Sequence, residues 1–265
     1  MKDTLLPNEI RNSLKTRIFG QKEMYHFTTA VSTNDIAGDL GRRGAPEGTL
    51  VIAETQTGGK GRMGRTWHSP PGTGIYLSII LRPGIVPAGA NKITLMTAVA
   101  AAEAVKKFCP DGLMIKWPND ILINGKKAAG ILTTMDTSGD SVHYVIVGIG
   151  INVNAGPESF PGDLRDIATS LFMETGMPVR REILVREFLE SFECFYRILL
   201  EGDFRVIREI WKEQSNIMGK EVTAEVRDCT VSGKAVDLDD EGFLLVRDAA
   251  GGLHRIISGD IIKIH

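Results

Sequence analysis

Short apolar runs bounded by turn residues alternate with longer helical segments along most of the chain. Leu5 to Leu14 reads as a short helix and Tyr25 to Thr29 as a strand. Ser32-Thr33-Asn34-Asp35 supplies N-cap candidates for a helix reaching about Arg43. Thr49 to Ala53 is a compact apolar strand that leads through Glu54-Thr55-Gln56 into a glycine-rich loop. Gly74 to Leu81 has the β-branched and aromatic content that strands favour. Ile93 to Phe108 is an alanine-rich helix closing on lysines, which suit the negative end of its dipole. Met114 to Trp117, Asp120 to Ile123, Ala129 to Thr134 and His143 to Asn152 read as strands joined by Asn-Gly and Ser-Gly-Asp turns. Helices return over about Arg180 to Leu200 and Phe204 to Gln214.

The pattern changes after Gly219. Glu221 to Val226, Thr230 to Val236, Gly242 to Val246, Leu253 to Ile257 and Asp260 to Ile264 are short strands with tight turns between them. A stretch this small suggests a β-barrel that leans on a larger unit for stability. The expected architecture is α+β: a mixed sheet flanked by helices over residues 1–216, then a small barrel over residues 217–265.

At 265 residues, with 43% hydrophobic and 24% charged positions, the chain has the composition of a soluble globular protein. A formal net charge of −2 provides no general attraction to nucleic acid or membrane, so cationic work must be local. The N-terminus has no apolar signal region, and no run approaches the roughly 18 residues of a membrane span. Cys109, Cys194 and Cys229 are odd in number and far apart, which fits a reducing cytoplasm better than a disulfide framework.

The glycine loop contains two nucleotide fingerprints at once. Gly59, Gly61 and Gly64 spell G-x-G-x-x-G, and Gly59 to Thr66 falls one residue short of a P-loop. Both require a helix after the loop. Trp67-His-Ser-Pro70-Pro71 cannot propagate one, so both are rejected. What remains is a flexible segment with Lys60, Arg62 and Arg65 close together. The plain alternative is a solvated charged turn. Against it stands the entropy of so many glycines, on the order of 0.5–1 kcal/mol each on folding. A loop that closes over a phosphate needs this composition. Without an anion the like charges repel, and the loop is expected to be mobile.

Lys116-Trp-Pro-Asn-Asp120, Asn124-Gly-Lys-Lys127-Ala-Ala-Gly130-Ile-Leu132 and Gly148-Ile-Gly-Ile-Asn-Val-Asn154 form a second constellation. Pro118 places Asn119 and Asp120 at a strand end where a metal-phosphate could be met. Lys127 enters a run that should be buried, so it needs a partner, and an anionic substrate is one candidate. Alternatively, Lys116 and Lys127 pair with surface carboxylates and Asp120 caps a turn.

These stretches, with Glu54-Thr-Gln-Thr-Gly-Gly-Lys-Gly-Arg-Met-Gly-Arg-Thr-Trp-His-Ser69, occur in the order and spacing of the biotin protein ligases, which the chain resembles from about Tyr25 to His265. Ser32-Thr-Asn34 and Ala168-Thr-Ser-Leu171 resemble two further motifs of that family. The resemblance implies a class II synthetase-like catalytic fold with a C-terminal SH3-like barrel. It implies formation of biotinoyl-5′-adenylate from biotin and ATP with Mg²⁺, then transfer to a lysine of a biotin carboxyl carrier protein. By the same resemblance, Ser32, Thr33, Asn34, Gln56 and Gly59 fall at the biotin site, and Lys60, Gly61 and Arg62 on the loop that folds over biotin and its adenylate. Lys127 falls at the carboxylate contact, and Gly130, Leu132 and Gly148 on the pocket wall. Lys127 and Arg62 are the expected catalytic pair, Arg65, Lys116, Asn119 and Asn152 the expected ATP contacts, and Asp120 the expected magnesium ligand.

Lys60 stands where the family often has arginine, which keeps the charge and loses the planar fork. Some 24 residues precede the first core strand, too few for the helix-turn-helix module of repressor members, so no DNA binding is expected. Pairing through an exposed sheet edge would make a homodimer. Lipoate ligase shares the fold and the adenylate chemistry, but the loop, the Lys-Trp-Pro-Asn-Asp motif and the terminal barrel favour biotin. A non-catalytic biotin sensor would be signalled by loss of Lys127 or Arg62, and both are present.

Overall fold

The structure is a computed structural model that describes residues 4–226 and 229–264; residues 1–3, 227–228 and 265, within the ranges expected for the two units, lie outside the described residues. A mixed seven-stranded sheet forms from β1 (Met24–Phe27), β2 (Leu50–Ala53), β3 (Gly74–Leu81), β4 (Leu113–Lys116), β5 (Asp120–Ile123), β6 (Lys126–Ser138) and β7 (Ser141–Asn152). Its order is β1-β2-β3-β7-β6-β5-β4, with β1 and β2 parallel and the other pairs antiparallel.

Alternation along the central strands divides the sheet into two faces. Ile75, Leu77, Ile79 and Leu81 of β3, with Val145, Val147, Ile149 and Ile151 of β7, belong to the main core. That core is completed by the buried sides of α3 (Ala90–Lys106), α4 (Leu171–Thr175), α5 (Arg181–Leu200) and α6 (Phe204–Glu213). On the opposite face Ile80, Tyr144 and Ile146 pack with Ala37 of α2 (Thr33–Arg42). Under the start of α2 that second face carries Ser78 and Gly148, against Thr33 and Asn34, and past it Gly150 and Asn152, which α2 does not cover.

Several elements depart from the hydrophobic pattern. The first helix is only α1 (Pro7–Arg11), because residues after it spend their hydrogen bonds on α5: Glu193 accepts from the backbone of Arg17, Ile18 and Phe19. β6 and β7 form one long hairpin, so β6 runs from Lys126 to Ser138 rather than over its apolar centre alone. α2 is preceded by Ser32 as expected, but the serine makes no capping hydrogen bond.

The C-terminal strands β8 (Glu221–Val226), β9 (Cys229–Leu238), β10 (Leu244–Arg247), β11 (Leu253–Ile256) and β12 (Asp260–Ile264) form one antiparallel sheet in the order β11-β10-β9-β8-β12. β11 and β12 are its edges, and no ladder between them closes it among the described residues. Its Val222, Ala224, Ala235, Leu238, Leu244 and Val246 join the same apolar cluster as the large sheet. Among the described residues no helix is long and apolar enough to cross a membrane.

One buried charge pair ties the layers together. Arg181, fully buried at the start of α5, contacts Glu54 Oε2 at 2.9 Å and donates to the Gly74 carbonyl at 2.9 Å. Glu54 Oε1 also accepts the Leu5 amide at 2.7 Å and lies 3.3 Å from His26 Nε2. Arg181→Ala strands this carboxylate in the interior, and unfolding in urea is expected to show a loss of about 3–5 kcal/mol. A loss below about 1 kcal/mol would mean that water reaches Glu54.

Candidate functional site

The uncovered part of the second sheet face floors a cavity of about 470 Å³, within the range of about 300–1,000 Å³ usual for small-molecule sites. Two-residue alternation makes the floor: in Gly148-Ile-Gly-Ile-Asn152 the isoleucines enter the core, and Gly148, Gly150 and Asn152 face the cavity. The missing side chains are needed. A Cβ on Gly150 would collide with the Trp67 indole, and one on Gly148 would collide with Asn34 Oδ1. Gly130, beside Gly150 on β6, is also covered by Trp67, whose ring lies 2.8 Å from where its Cβ would stand.

One end of the cavity is neutral and hydrogen-bonded. Gln56 Oε1 accepts the Thr33 amide at 2.8 Å and the Thr33 hydroxyl at 3.1 Å, so it caps α2 in place of Ser32. Gln56 Nε2 donates to Ser69 Oγ at 3.0 Å. Asn34 Nδ2 donates to the Leu132 carbonyl at 3.3 Å, and Ser78 Oγ lies 2.6 Å from Asn34 Oδ1.

The other end is cationic. The loop folds back as a small hairpin in which Trp67 donates to the Gly59 carbonyl at 2.9 Å and Gly61 to the Arg65 carbonyl at 2.6 Å. Each of its cations already has a carboxylate. Lys60 Nζ is 2.7 Å from Asp35, and Arg62 is 3.1 Å from Asp260 Oδ1, while Arg65 contacts Oδ2 of the same carboxylate. Arg62 donates further to Asn119 Oδ1 and the Gly259 carbonyl, both at 3.1 Å. Burial pulls the Arg62 pKa down, while Asp260 and Asp120 oppose that shift. Repulsion among these charges, the expected cause of loop mobility, is therefore offset here by the carboxylates.

Lys127 is not a lone buried cation either. Its Nζ is 2.7 Å from Asp120 Oδ1 and 5.4 Å from the centre of the Trp67 ring. Its backbone is clamped by Ile167 and Thr169, at 2.8 and 3.0 Å. The Asp120 contact lacks hydrogen-bond geometry, which leaves Oδ1 a buried carboxylate oxygen without a hydrogen bond. Asn119 and Asn152 spend their amides on the protein, donating to Ile131 at 2.7 Å and Thr169 at 3.0 Å.

The cavity thus brings together Ser32, Thr33, Asn34, Gln56, Lys60, Gly61, Arg62, Arg65, Lys116, Asn119, Asp120, Lys127, Gly130, Leu132, Gly148 and Asn152. Gly59 stands behind the lining, where a Cβ would press within 2.6 Å of the Trp67 carbonyl. Sequence reasoning gave no site role to Trp67, Ser78 or Asp260, and read Asp35 only as a helix-cap candidate. Trp67 was inside the quoted motif, and Ser78 is a polar break in an apolar strand. Nothing local marks the two aspartates.

Comparison with known proteins follows the same lines. Residues 27–152 match the family described as "Biotin/lipoate A/B protein ligase family", and residues 217–263 match "Biotin protein ligase C terminal domain". Over 257 residues the chain is 44% identical to the bifunctional ligase/repressor BirA of Bacillus subtilis, spanning 97% of this chain and 78% of that protein. It is 31% identical to the biotin--[acetyl-CoA-carboxylase] ligase of Mycobacterium tuberculosis, spanning 99% and 98% of the two chains. The structure of the Aquifex aeolicus biotin protein ligase in complex with biotin and ATP superposes with a TM-score of 0.76 at 28% identity, over 92% of this chain and 99% of that one.

The bond from Asp260 to the loop has a direct readout. Asp260→Ala removes the carboxylate shared by two arginines, worth on the order of 1 kcal/mol after solvent screening. Trypsin is then expected to cut at Lys60, Arg62 or Arg65 about fivefold faster under native conditions. Equal cleavage rates would show that the C-terminal sheet does not hold the loop.

Proposed function

The chain belongs to the biotin protein ligase family, and from that premise we propose how its residues divide the work of activating biotin and transferring it to protein. The observation that carries the reading is the polarity of the cavity, neutral and hydrogen-bonding at one end and cationic at the other. A ligand with an uncharged ureido head and a carboxylate tail meets both.

Biotin's head is assigned to Ser32, Thr33, Asn34 and Gln56, with Gly130, Leu132 and Gly148 as wall. Its carboxylate is assigned to Lys127, whose ammonium offsets the charge as that oxygen attacks the α-phosphorus of ATP. The new P–O bond forms as the bond to the β-phosphate oxygen breaks and pyrophosphate leaves. Arg62, Arg65 and Lys116 supply charge for the phosphates, a stabilisation that is strong in a site sheltered from water. In the second step the carrier lysine amine attacks the acyl carbon, the C–N bond forms, and AMP departs with the C–O bond electrons.

Among the described residues no three acidic, histidine or cysteine side chains gather as a metal group. Asp120, whose Oδ1 pairs with Lys127 but has no hydrogen bond, would be the protein ligand of a magnesium ion. When bound it would screen the triphosphate. A cytoplasmic setting, where ATP and carboxylase acceptors are found, suits this chemistry, and the outer edge of β1 would serve a homodimer.

Lipoate is the poorer ligand on physical grounds. Its dithiolane ring cannot satisfy the polar groups at the neutral end, and unpaired buried donors and acceptors cost about 1–3 kcal/mol each. Incubation with biotin, ATP, Mg²⁺ and a carrier domain should yield a streptavidin-reactive carrier. An unlabelled carrier would refute the assignment.

Two variants separate the roles. Lys127→Ala is expected to slow pyrophosphate release by about tenfold or more, because the biotin carboxylate loses its countercharge. Release at the wild-type rate would remove Lys127 from the mechanism. Arg62→Gly should still form the adenylate but retain it poorly, since an ordered loop is what keeps water and bystander amines from the mixed anhydride. Off-target labelling of a bystander protein measures this, and unchanged carrier selectivity would reduce the loop to a turn.

A further inference from the structure

Asn34 lines two cavities at once, the ligand cavity of about 470 Å³ and a second concavity of about 360 Å³ between α2, β6 and β7. Its amide is therefore a partition. What holds it is a row of three residues in register across three strands: Ser78 on β3, Gly148 on β7 and Leu132 on β6. The amide lies across the gap at Gly148, where a Cβ would collide with it, and is bonded at both ends.

The bonds fix its direction. Leu132 offers a carbonyl oxygen, so the nitrogen must face it and Oδ1 must face Ser78. Reversal would set two oxygens against each other. Ser78 lies within 2.6 Å of Asn34 Oδ1 and 2.8 Å of Thr33 Oγ1, yet its hydroxyl has one proton. Asn34 Oδ1 has none to give and Thr33 commits its own to Gln56, so Ser78 donates to Asn34 and shares that proton with Thr33 Oγ1. Ser78 is fully buried and cannot touch solvent.

We propose that Ser78 is a positioning residue for biotin recognition, pinning the Asn34 amide across Gly148 as the end wall of the head pocket. The inference rests on the biotin ligase reading. It makes one amide N–H of Asn34 the oriented donor left for the ureido head, and it joins Asn34 and Thr33 into a single unit. Without Ser78 the amide turns, and the partition between the two cavities opens.

Calorimetry with biotin on the full chain tests this in a cycle of wild type, Ser78→Ala, Asn34→Ala and the double variant. Ser78→Ala should weaken biotin binding about five- to tenfold, as one oriented hydrogen bond is lost. It should raise KM for biotin while leaving KM for ATP unchanged. In the Asn34→Ala background it should add almost nothing, because Ser78 acts through Asn34. Gly148→Ala evicts the amide from the other side and should reproduce the same pattern, which guards against a folding defect in one variant. Biotin binding unchanged in Ser78→Ala, or losses that simply add, would overturn the inference alone. A wild-type chain that binds no biotin would overturn the ligase reading and the inference together.

Discussion

The two-residue period of β7 is the constraint on which both core and site depend. Ile149 and Ile151 are buried under α3 and α5, while Gly148 and Gly150, between and beside them, are the cavity floor. A slip of one residue would place isoleucines in the ligand space and glycines in the core. Strong pairing with β3 on one side and β6 on the other prevents it, since ten residue pairs with β6 and eight with β3 hold the register. The cavity is thus a by-product of core packing: the interactions that make the sheet stable also keep its other face empty.

Onto that empty face the chain brings charges from far away in sequence. Lys60 meets Asp35, Lys127 meets Asp120, and Arg62 and Arg65 share Asp260 at the start of β12. Each pairing lowers the cost of holding cations together before a substrate arrives. On the proposed function, an incoming phosphate or carboxylate would therefore exchange with an internal carboxylate rather than fill a bare positive site. Net electrostatic gain on binding is therefore smaller than a count of cations implies, and geometry must supply more of the selectivity.

Much of this was legible in the chain because it is local. β3, β5 and the C-terminal end of β7 fall where composition places them, and the motifs that line the cavity lie at strand ends and turns. The glycine loop was read correctly as something other than a nucleotide fold, since a strand rather than a helix follows it. What escaped was everything that depends on a distant partner. The α1 boundary is set by Glu193, the capping of α2 by Gln56, and the state of the loop by Asp260, nearly two hundred residues away. A carboxylate in an ordinary Ser-Gly-Asp turn carries no local mark of such a role.

Asp260 also gives a reason for the small C-terminal sheet to remain attached. Its apolar side continues the main core, so the two sheets share buried surface and are not independent bodies in energetic terms. The first residue of its edge strand then reaches the loop that covers the cavity, bonding Arg62 through both a carboxylate and the adjacent Gly259 carbonyl. The loop is anchored at its base by the large sheet and at its arginines by the small one. Closing over a ligand requires the second anchor to yield while the first holds. On the proposed function an anion would compete with Asp260 for the two arginines, so loop motion would follow ligand binding.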